Sequence, residues 1–528
     1  MNVKIGKMLG VTSLLLGVWN AGAAEYSASD ISGLLDAVGK AGAGDVIRLA
    51  KGSYPVATGS ALLIKPGATL VGGSDNPEET VIYRENPAFN DRGILLGHNA
   101  ILRNVTVRGG YTEYQAAGVL GYDTGVHDQF VVSNCVIEGC SAKYMGAGGC
   151  GGTWYNCVIR NNTVRNTVSG ANEGSGGGVY AGILYDCVIT NNTAGYCGGG
   201  LAGGNDNGTA SGSPRQTFAY GCLIGWNSAP NGGGAASSPA VTGSGYCILS
   251  NCTVIGNTAN TGAGASKCKL TDCRLLENKT TQKSDSYGGA TFQCDSVVRC
   301  YMAGNCGHFG GAGFNGTFTD CVMTNNSATG YDGGATYNAT TRNCLVVDNY
   351  SNRGFAHCRG AHYGDLVYAN RSGGANVNPG KSYLAGIGQE GNELLTVVNC
   401  TVWGNQQGDI LSSTLTNTVA SSVSSLQAAV NSFWQSGAAP DGAVGCVYGT
   451  DRDPKFAGVR NPWTVTASTP PEAFKPKARS PLYDGGLTLA GQTAEKDLMG
   501  SSRVLFKSVD MGAIESDLEI MGLSIVFR

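Results

Sequence analysis

Charge is scarce in this chain of 528 residues, with only 14% of positions Asp, Glu, Lys or Arg, low for a globular surface. The formal net charge of −3 gives no basic footprint, so nucleic acid is not an expected partner. Proline is rare, at 15 residues against 83 glycines, and no strict Gly-X-Y period runs through those glycines, which excludes collagen. No stretch after the N-terminal leader reaches 18 apolar residues, so the mature chain is expected to carry no transmembrane helix. The 19 cysteines include no CxxC pair, the close spacing that metal sites favour. Acidic residues are few in the repeats that follow Asn104, with no DD pair and no close Asp/Glu cluster there of the kind a hydrolase needs.

What the chain has instead is a repeated phrase. "NCVIRNNTVRN" begins at Asn156, "DCVITNNTAG" at Asp186, "DCVMTNNSATG" at Asp320 and "NCTVWGN" at Asn399. The cysteine position holds Cys135, Cys157, Cys187, Cys222, Cys252, Cys273, Cys300, Cys321, Cys344 and Cys400, with Asp365 filling the slot in "DLVYAN". Five residues on, an asparagine recurs from Asn162 through Asn405. The closest spacings are 21, 22 and 23 residues, and longer ones are insertions on a base period of about 22. A second phrase lies between: "GGGVY" at Gly176, "GGATF" at Gly288, "GGAGF" at Gly310 and "GGATY" at Gly333.

Short alternating segments with Gly or Asn turns are strands, and a period of this length describes one coil of a parallel β-helix. The expected fold is all-β, a right-handed parallel β-helix solenoid with an N-terminal helical cap. Coils lie about 4.8 Å apart, so twelve phrases make a rod roughly 50 Å tall. Equivalent residues stack, giving a column of small buried cysteines and a ladder of asparagine amides. In-register stacking holds Cβ atoms about 4.8 Å apart, beyond the roughly 3.8 Å of a relaxed disulfide. An apolar cysteine column is therefore expected ahead of disulfides or metal. Cys247, Cys268 and Cys294 suggest a second, shorter ladder.

The phrases resemble the pectin-lyase-like superfamily, and "VMTNNSATGYDGGATY" from Val322 is similar to the GGA[ILV] and FxxN repeats of chlamydial polymorphic outer-membrane proteins. The resemblance spans roughly Asn104 to Asn405, with Met323 where that family has Phe. Only 123 residues follow Asn405, too few for an autotransporter barrel. The series "DRDPKF", "RSPLYDGG", "DLMGSSR" and "VDMGAIE" resembles the anchor-like closing segment of exported bacterial β-helix proteins.

The organisation expected is a signal peptide at 1–24, an N-terminal cap and first coils at 25–103, repeats at 104–405, and C-terminal coils with a closing segment at 406–528. Lys4 and Lys7, an apolar core from Met8 to Val18 and "AGAA" at Ala21 to Ala24 read as an export signal. "ISGLLDAVGKAGAGDVIRLAKGSYPV" from Ile31 reads as capping helix and first coil. In "LSSTLTNTVASSVSSLQAAVNSFW" a short helix is expected at the end.

Function is sought where the coils differ. Residues before each Gly-Gly align as Ser286-Tyr287, His308-Phe309 and Tyr331-Asp332, and more loosely Asn352-Arg353 before Gly354. This places Tyr287, Phe309, Asp332 and Arg353 in one surface line, with His308 and Tyr331 beside it and His357, Arg359 and His362 further along. Aromatic rings with polar neighbours suit a sugar. Long insertions near Thr163–Ser175, Gly203–Thr217 and Ser372–Glu393 add candidate recognition loops. The expected function is an exported, monomeric, non-catalytic β-helix that binds or displays at the cell surface, adhesin-like, with a polysaccharide or cell-surface glycan as partner. No catalytic residue, cofactor or metal is assigned. The alternative is a polysaccharide lyase or glycoside hydrolase, and Ca²⁺ enters only with the lyase.

Overall fold

The structure, a computed structural model, describes residues 22–516 apart from 60–61, 88–89, 123–128, 168–173, 206–213, 239–246, 282–283, 374–383, 390–394, 460, 478–479, 484, 490–495 and 504–508. The export signal therefore falls almost wholly outside the described residues, as do the central parts of the three long insertions.

Each coil is built from very short strands because a turn residue interrupts the chain every few positions. In one coil the strands are Val179–Tyr180, Ile183–Tyr185 and Val188–Thr190. Ala181, Asp186 and Asn191 stand between or after them with φ of 56°, 52° and 55°. Left-handed backbone of this kind suits Asn, Asp and Gly. This explains the residue before each ladder position: Asn156, Asp272, Asp320 and Asn399 also have φ between 52° and 55°. The acids before the cysteines are thus turn formers.

Strands pair in parallel with their equivalents one coil away. Val188 faces Val158 on one side and Leu223 on the other, and Ile183 faces Thr153 and Phe218. Among the described residues this continues into a system of 44 linked strands, a right-handed parallel β-helix. Each coil thus has three strands where the sequence shows two alternating segments. A short fourth strand follows the asparagine in many coils and runs as a ladder from Thr258–Ala259 to Arg371–Ser372.

Two side-chain ladders hold successive coils in register. At one corner Asn162 N and Nδ2 both donate to Asn192 Oδ1 at 3.0 Å. The pattern repeats through Asn227, Asn257, Asn278, Asn305, Asn326, Asn349, Asn370 and Asn405. It ends on Asp409, whose Oδ1 accepts from Asn405 N and Nδ2 at 3.0 and 2.9 Å. Asn162, Asn192 and Asn326 are fully buried ladder members, each the middle residue of an N-x-S/T triplet whose first asparagine, Asn161, Asn191 or Asn325, is exposed.

At the other corner Cys157 N donates to Cys187 Sγ and Cys187 N to Cys222 Sγ, both at 3.4 Å, while each thiol reaches a backbone carbonyl. All 19 cysteines are free, and all but Cys306 and Cys446 are buried. The column is buried, as expected, but its sulfurs serve as hydrogen-bonding ladder atoms as well as apolar filling. Burial pushes the Cys140 and Cys294 thiols up to about 12. Cys268 N donates to Cys294 Sγ at 3.4 Å, in the expected second ladder.

The ends are closed differently. The helix Ile31–Lys40, capped by the Asp30 carboxylate on Gly33 N at 2.8 Å, packs Leu34 and Ala37 into the core over the first coil. This covers an edge that would otherwise offer unpaired strand groups. The Ser/Thr-rich segment after Asn405 holds strands Ser413–Thr416, Val419–Ser424, Ala428–Val430 and Phe433–Ser436, not the expected helix. Thr414 pairs with Ala428, so the coil has shrunk to fourteen residues and its Ser and Thr take the ladder places. Thr418 Oγ1 accepts from Cys400 N, and Ser432 Oγ from Thr418 N. The closing segment then folds back along the outside, where Phe456, Phe474 and Met511 cover Tyr368, Trp403 and Phe433. No helix among the described residues is long and apolar enough to cross a membrane.

Candidate ligand-binding surface

The first glycine of each Gly-Gly pair fixes where the neighbouring side chains emerge. Gly288, Gly310 and Gly333 have φ of 67°, 64° and 79°, and a Cβ on them would lie 1.9, 2.2 and 2.4 Å from the carbonyl oxygens of Thr291, Gly313 and Thr336. Only glycine makes this turn, and the residues just before it are delivered to the outer face.

There Tyr287, Phe309, Tyr331 and Arg353 form one column, each 22 residues after the last. Tyr287 and Phe309 have ring centroids 5.4 Å apart, and Phe309 and Tyr331 4.3 Å apart at an interplanar angle of 6°. The Arg353 guanidinium carbon caps the column 3.7 Å from the Tyr331 centroid. A second column runs beside it. Phe292, Phe314 and Tyr337 stack at 5.7 and 5.2 Å, and the Arg359 guanidinium carbon lies 5.5 Å from the Tyr337 ring. Tyr287 touches Phe314, and Phe309 meets Tyr337 edge-on. His308 stands edge-on to Tyr331 at 5.1 Å, in the space left by the missing side chain of Gly330. Burial, with Arg353 nearby, lowers the His308 pKa, so the ring is neutral at pH 7.

Five of the six sequence-selected residues therefore meet in one half-exposed cluster. The sixth, Asp332, keeps the backbone place that sequence alignment assigns it, since Gly310 N donates to Asp332 O as Gly288 N donates to Phe309 O. One extra residue separates Phe309 from the next Gly-Gly turn, so Tyr331 and Asp332 both stand opposite Phe309, and the ring that stacks on Phe309 is that of Tyr331. Phe292, Phe314 and Tyr337 went unnoticed in the sequence, although the final residue of "GGATF", "GGAGF" and "GGATY" spells out their column. His357 and His362, expected along the same surface, are fully buried inside the helix.

The stacking changes what the cluster offers. Ring faces inside the columns are turned toward one another, so a ligand meets ring edges, tyrosine hydroxyls and a guanidinium. Stacking on Tyr331 occupies one face of the Arg353 guanidinium, and its N–H fork lies in the plane of the group, where a planar carboxylate is matched by two parallel hydrogen bonds. Many coil acids are engaged elsewhere. Glu138 is paired with Arg108 and Arg160, Asp272 with Arg299, and Asp348 with Arg371.

These coils, ladders and closing elements define a right-handed parallel β-helix. No family model matches the chain, and no curated protein matches it. Among solved structures it is similar to an alginate lyase from Paenibacillus sp. str. FPU-7, at 14% identity over 66% of this chain and 97% of that one, with a TM-score of 0.28. It is also similar to the pectate lyase Pel9A, at 12% identity over 91% and 90% of the two chains and a TM-score of 0.25. A mannuronic acid specific family 6 polysaccharide lyase from human gut microbiota is 12% identical over 71% and 86%, with a TM-score of 0.32. The likeness is one of fold alone.

Proposed function

We propose that this protein is an exported β-helix that binds an acidic polysaccharide on its outer aromatic columns without cleaving it. The observation that carries the reading is the stacked column Tyr287–Phe309–Tyr331 capped by Arg353. A rigid apolar edge beside a preoriented guanidinium fits a chain of uronate sugars, each with a C–H surface and a carboxylate. Consecutive coils repeat the aromatic edge along the rod, as a polymer ligand requires, and Arg353 supplies the guanidinium at one end of the column. The leader sequence supports export, and the uncovered aromatic cluster suits a surface role.

The test is a panel of polygalacturonate, alginate, glycosaminoglycan and neutral glucan incubated with the purified protein. Retention on the acidic polymers, with no ultraviolet-absorbing unsaturated ends and no new reducing ends, is the expected result. Unsaturated ends would replace this reading with a lyase, and new reducing ends without unsaturation would replace it with a hydrolase.

A further inference from the structure

Inside the β-helix lies a polar cluster that the ladders do not require. Asp365 occupies a cysteine slot and performs the ladder duty with one oxygen: Oδ1 accepts from Cys344 N at 2.7 Å. Its other oxygen faces two histidines. His357 Nε2 is 4.0 Å and His362 Nδ1 3.8 Å from Asp365 Oδ2, and the two rings stack with centroids 4.4 Å apart. All three residues are fully buried.

The threonines of the preceding coil fix these rings. Thr336 Oγ1 contacts His357 Nδ1 at 2.6 Å, and Thr341 Oγ1 contacts His362 Nδ1 at 2.7 Å. Thr341 has one hydroxyl proton, and it is donated to Asp365 Oδ2. The His362 contact must then be made by an Nδ1–H, which leaves Nε2 with a bare lone pair. Both His357 Nε2 and His362 Nε2 are buried with no hydrogen-bond partner in the protein. A buried nitrogen of this kind needs a partner, and a single ion between the two would supply both. Burial keeps both imidazoles neutral, the form that binds metal, with His362 down at about 4.

We propose that His357, His362 and Asp365 bind a late first-row divalent metal ion, of which Zn²⁺ is the best match, in the interior of the β-helix. One ligand atom from each residue already lies within 4.8 Å of the others. Small ring and carboxylate rotations bring them to the roughly 3.3 Å edge of a tetrahedral site with bonds of about 2.0 Å. Two imidazoles and one carboxylate select Zn²⁺ or its neighbours over Ca²⁺ and Mg²⁺, which prefer all-oxygen sets. The oxygens holding each Nδ1 are the outer partners that orient ligating histidines. An ion here would tie the strand His357–Tyr363, which carries Arg359 on its outer side, to the corner at Asp365 in the same coil. The sequence assigned no metal because these ligands are not close-paired cysteines and two of them were placed on the surface.

The test uses the full mature protein, stripped with a chelator, loaded with Zn²⁺ and dialysed into metal-free buffer. Elemental analysis is expected to find about one Zn²⁺ per chain, and Co²⁺ in its place should give the visible absorption of a low-symmetry four-coordinate site. His357→Ala with His362→Ala should reduce retained metal at least about tenfold with an unchanged far-ultraviolet spectrum. Should that variant misfold, added Zn²⁺ must still raise the melting temperature of the stripped wild type. Wild type that keeps under about a tenth of an equivalent and melts identically with and without Zn²⁺ would overturn the proposal. So would full metal retention in the folded double variant.

Discussion

Asn278 sits in the middle of the amide ladder, and replacing it with alanine removes four hydrogen bonds. Its Oδ1 accepts from Asn257 N at 3.1 Å and Asn257 Nδ2 at 2.9 Å. Its Nδ2 donates to Val254 O and to Asn305 Oδ1, both at 3.0 Å. At about 1 kcal/mol net per bond the loss is about 4 kcal/mol, and the buried Asn257 N–H left without an acceptor adds roughly 1 kcal/mol more. Asn257 Nδ2 keeps Ile224 O, so its loss is partly offset. In a solenoid such a loss acts on the neighbouring coils rather than uniformly. Hydrogen exchange is the suitable assay, and the amides of Asn257 and Asn278 should exchange at least about a hundredfold faster than in wild type. Asn278→Asp should be as damaging, because a carboxylate there turns an oxygen toward Val254 O and Asn305 Oδ1. The ladder accepts a carboxylate only at Asp409, where Ser421 N, Ser422 N and the Ser421 hydroxyl supply donors. Asp409→Asn should therefore also loosen its coil. Exchange within about threefold of wild type in Asn278→Ala would refute the ladder energetics.

Further expectations concern the cysteines and the closing segment. Thiol titration of the denatured protein without reductant should find all 19 cysteines, with Cys306 and Cys446 reacting first in the native state. A count a third lower would show disulfides. Glu515 accepts from Asp510 N and lies 3.2 Å from Arg503 Nη1, and burial raises its pKa to about 8 from an ordinary 4.5. Between those values the folded state holds the extra proton, so this contribution is full below about pH 4.5 and declines as pH rises to about 8. Hydrogen exchange of residues 509–516 should thus be slower at pH 5.5 than at pH 8.5 after correction for intrinsic rates, a difference on the order of 3 kcal/mol. Glu515→Gln should flatten that difference, and an unchanged pH dependence in the variant would count against it.

Much of the fold was legible because the turns carry it. The ladder residues follow left-handed positions, and Asn, Asp or Gly at most of these marks the period in the sequence, as at Asp186 and Asn191, although Trp226, Glu277, Arg299 and Ala369 fill the same place. The capping helix was legible from its apolar stripe; its Asp30 cap was not singled out. The third strand of each coil was not, since two or three residues are too few to show alternation. Coils shrunk to fourteen residues hid the strands after Asn405 for the same reason.

The site was legible in part. Tyr287, Phe309 and Tyr331 could be picked out, but only packing shows that their faces close on one another. His357 and His362 are five apart and should face opposite sides of a regular strand. Left-handed backbone at Arg359 and Gly360, with φ of 61° and 103°, reverses the phase and turns both inward.

The most direct test of the surface assignment is equilibrium titration of wild type, Arg353→Ala and Arg353→Lys with oligogalacturonate and oligoalginate. A charge-assisted bidentate contact contributes about 1.5–3 kcal/mol, so Arg353→Ala should weaken binding roughly ten- to hundredfold. Lysine should recover only part of it, because it lacks the planar fork. Binding of equal strength in all three proteins, or none in wild type, would contradict the account.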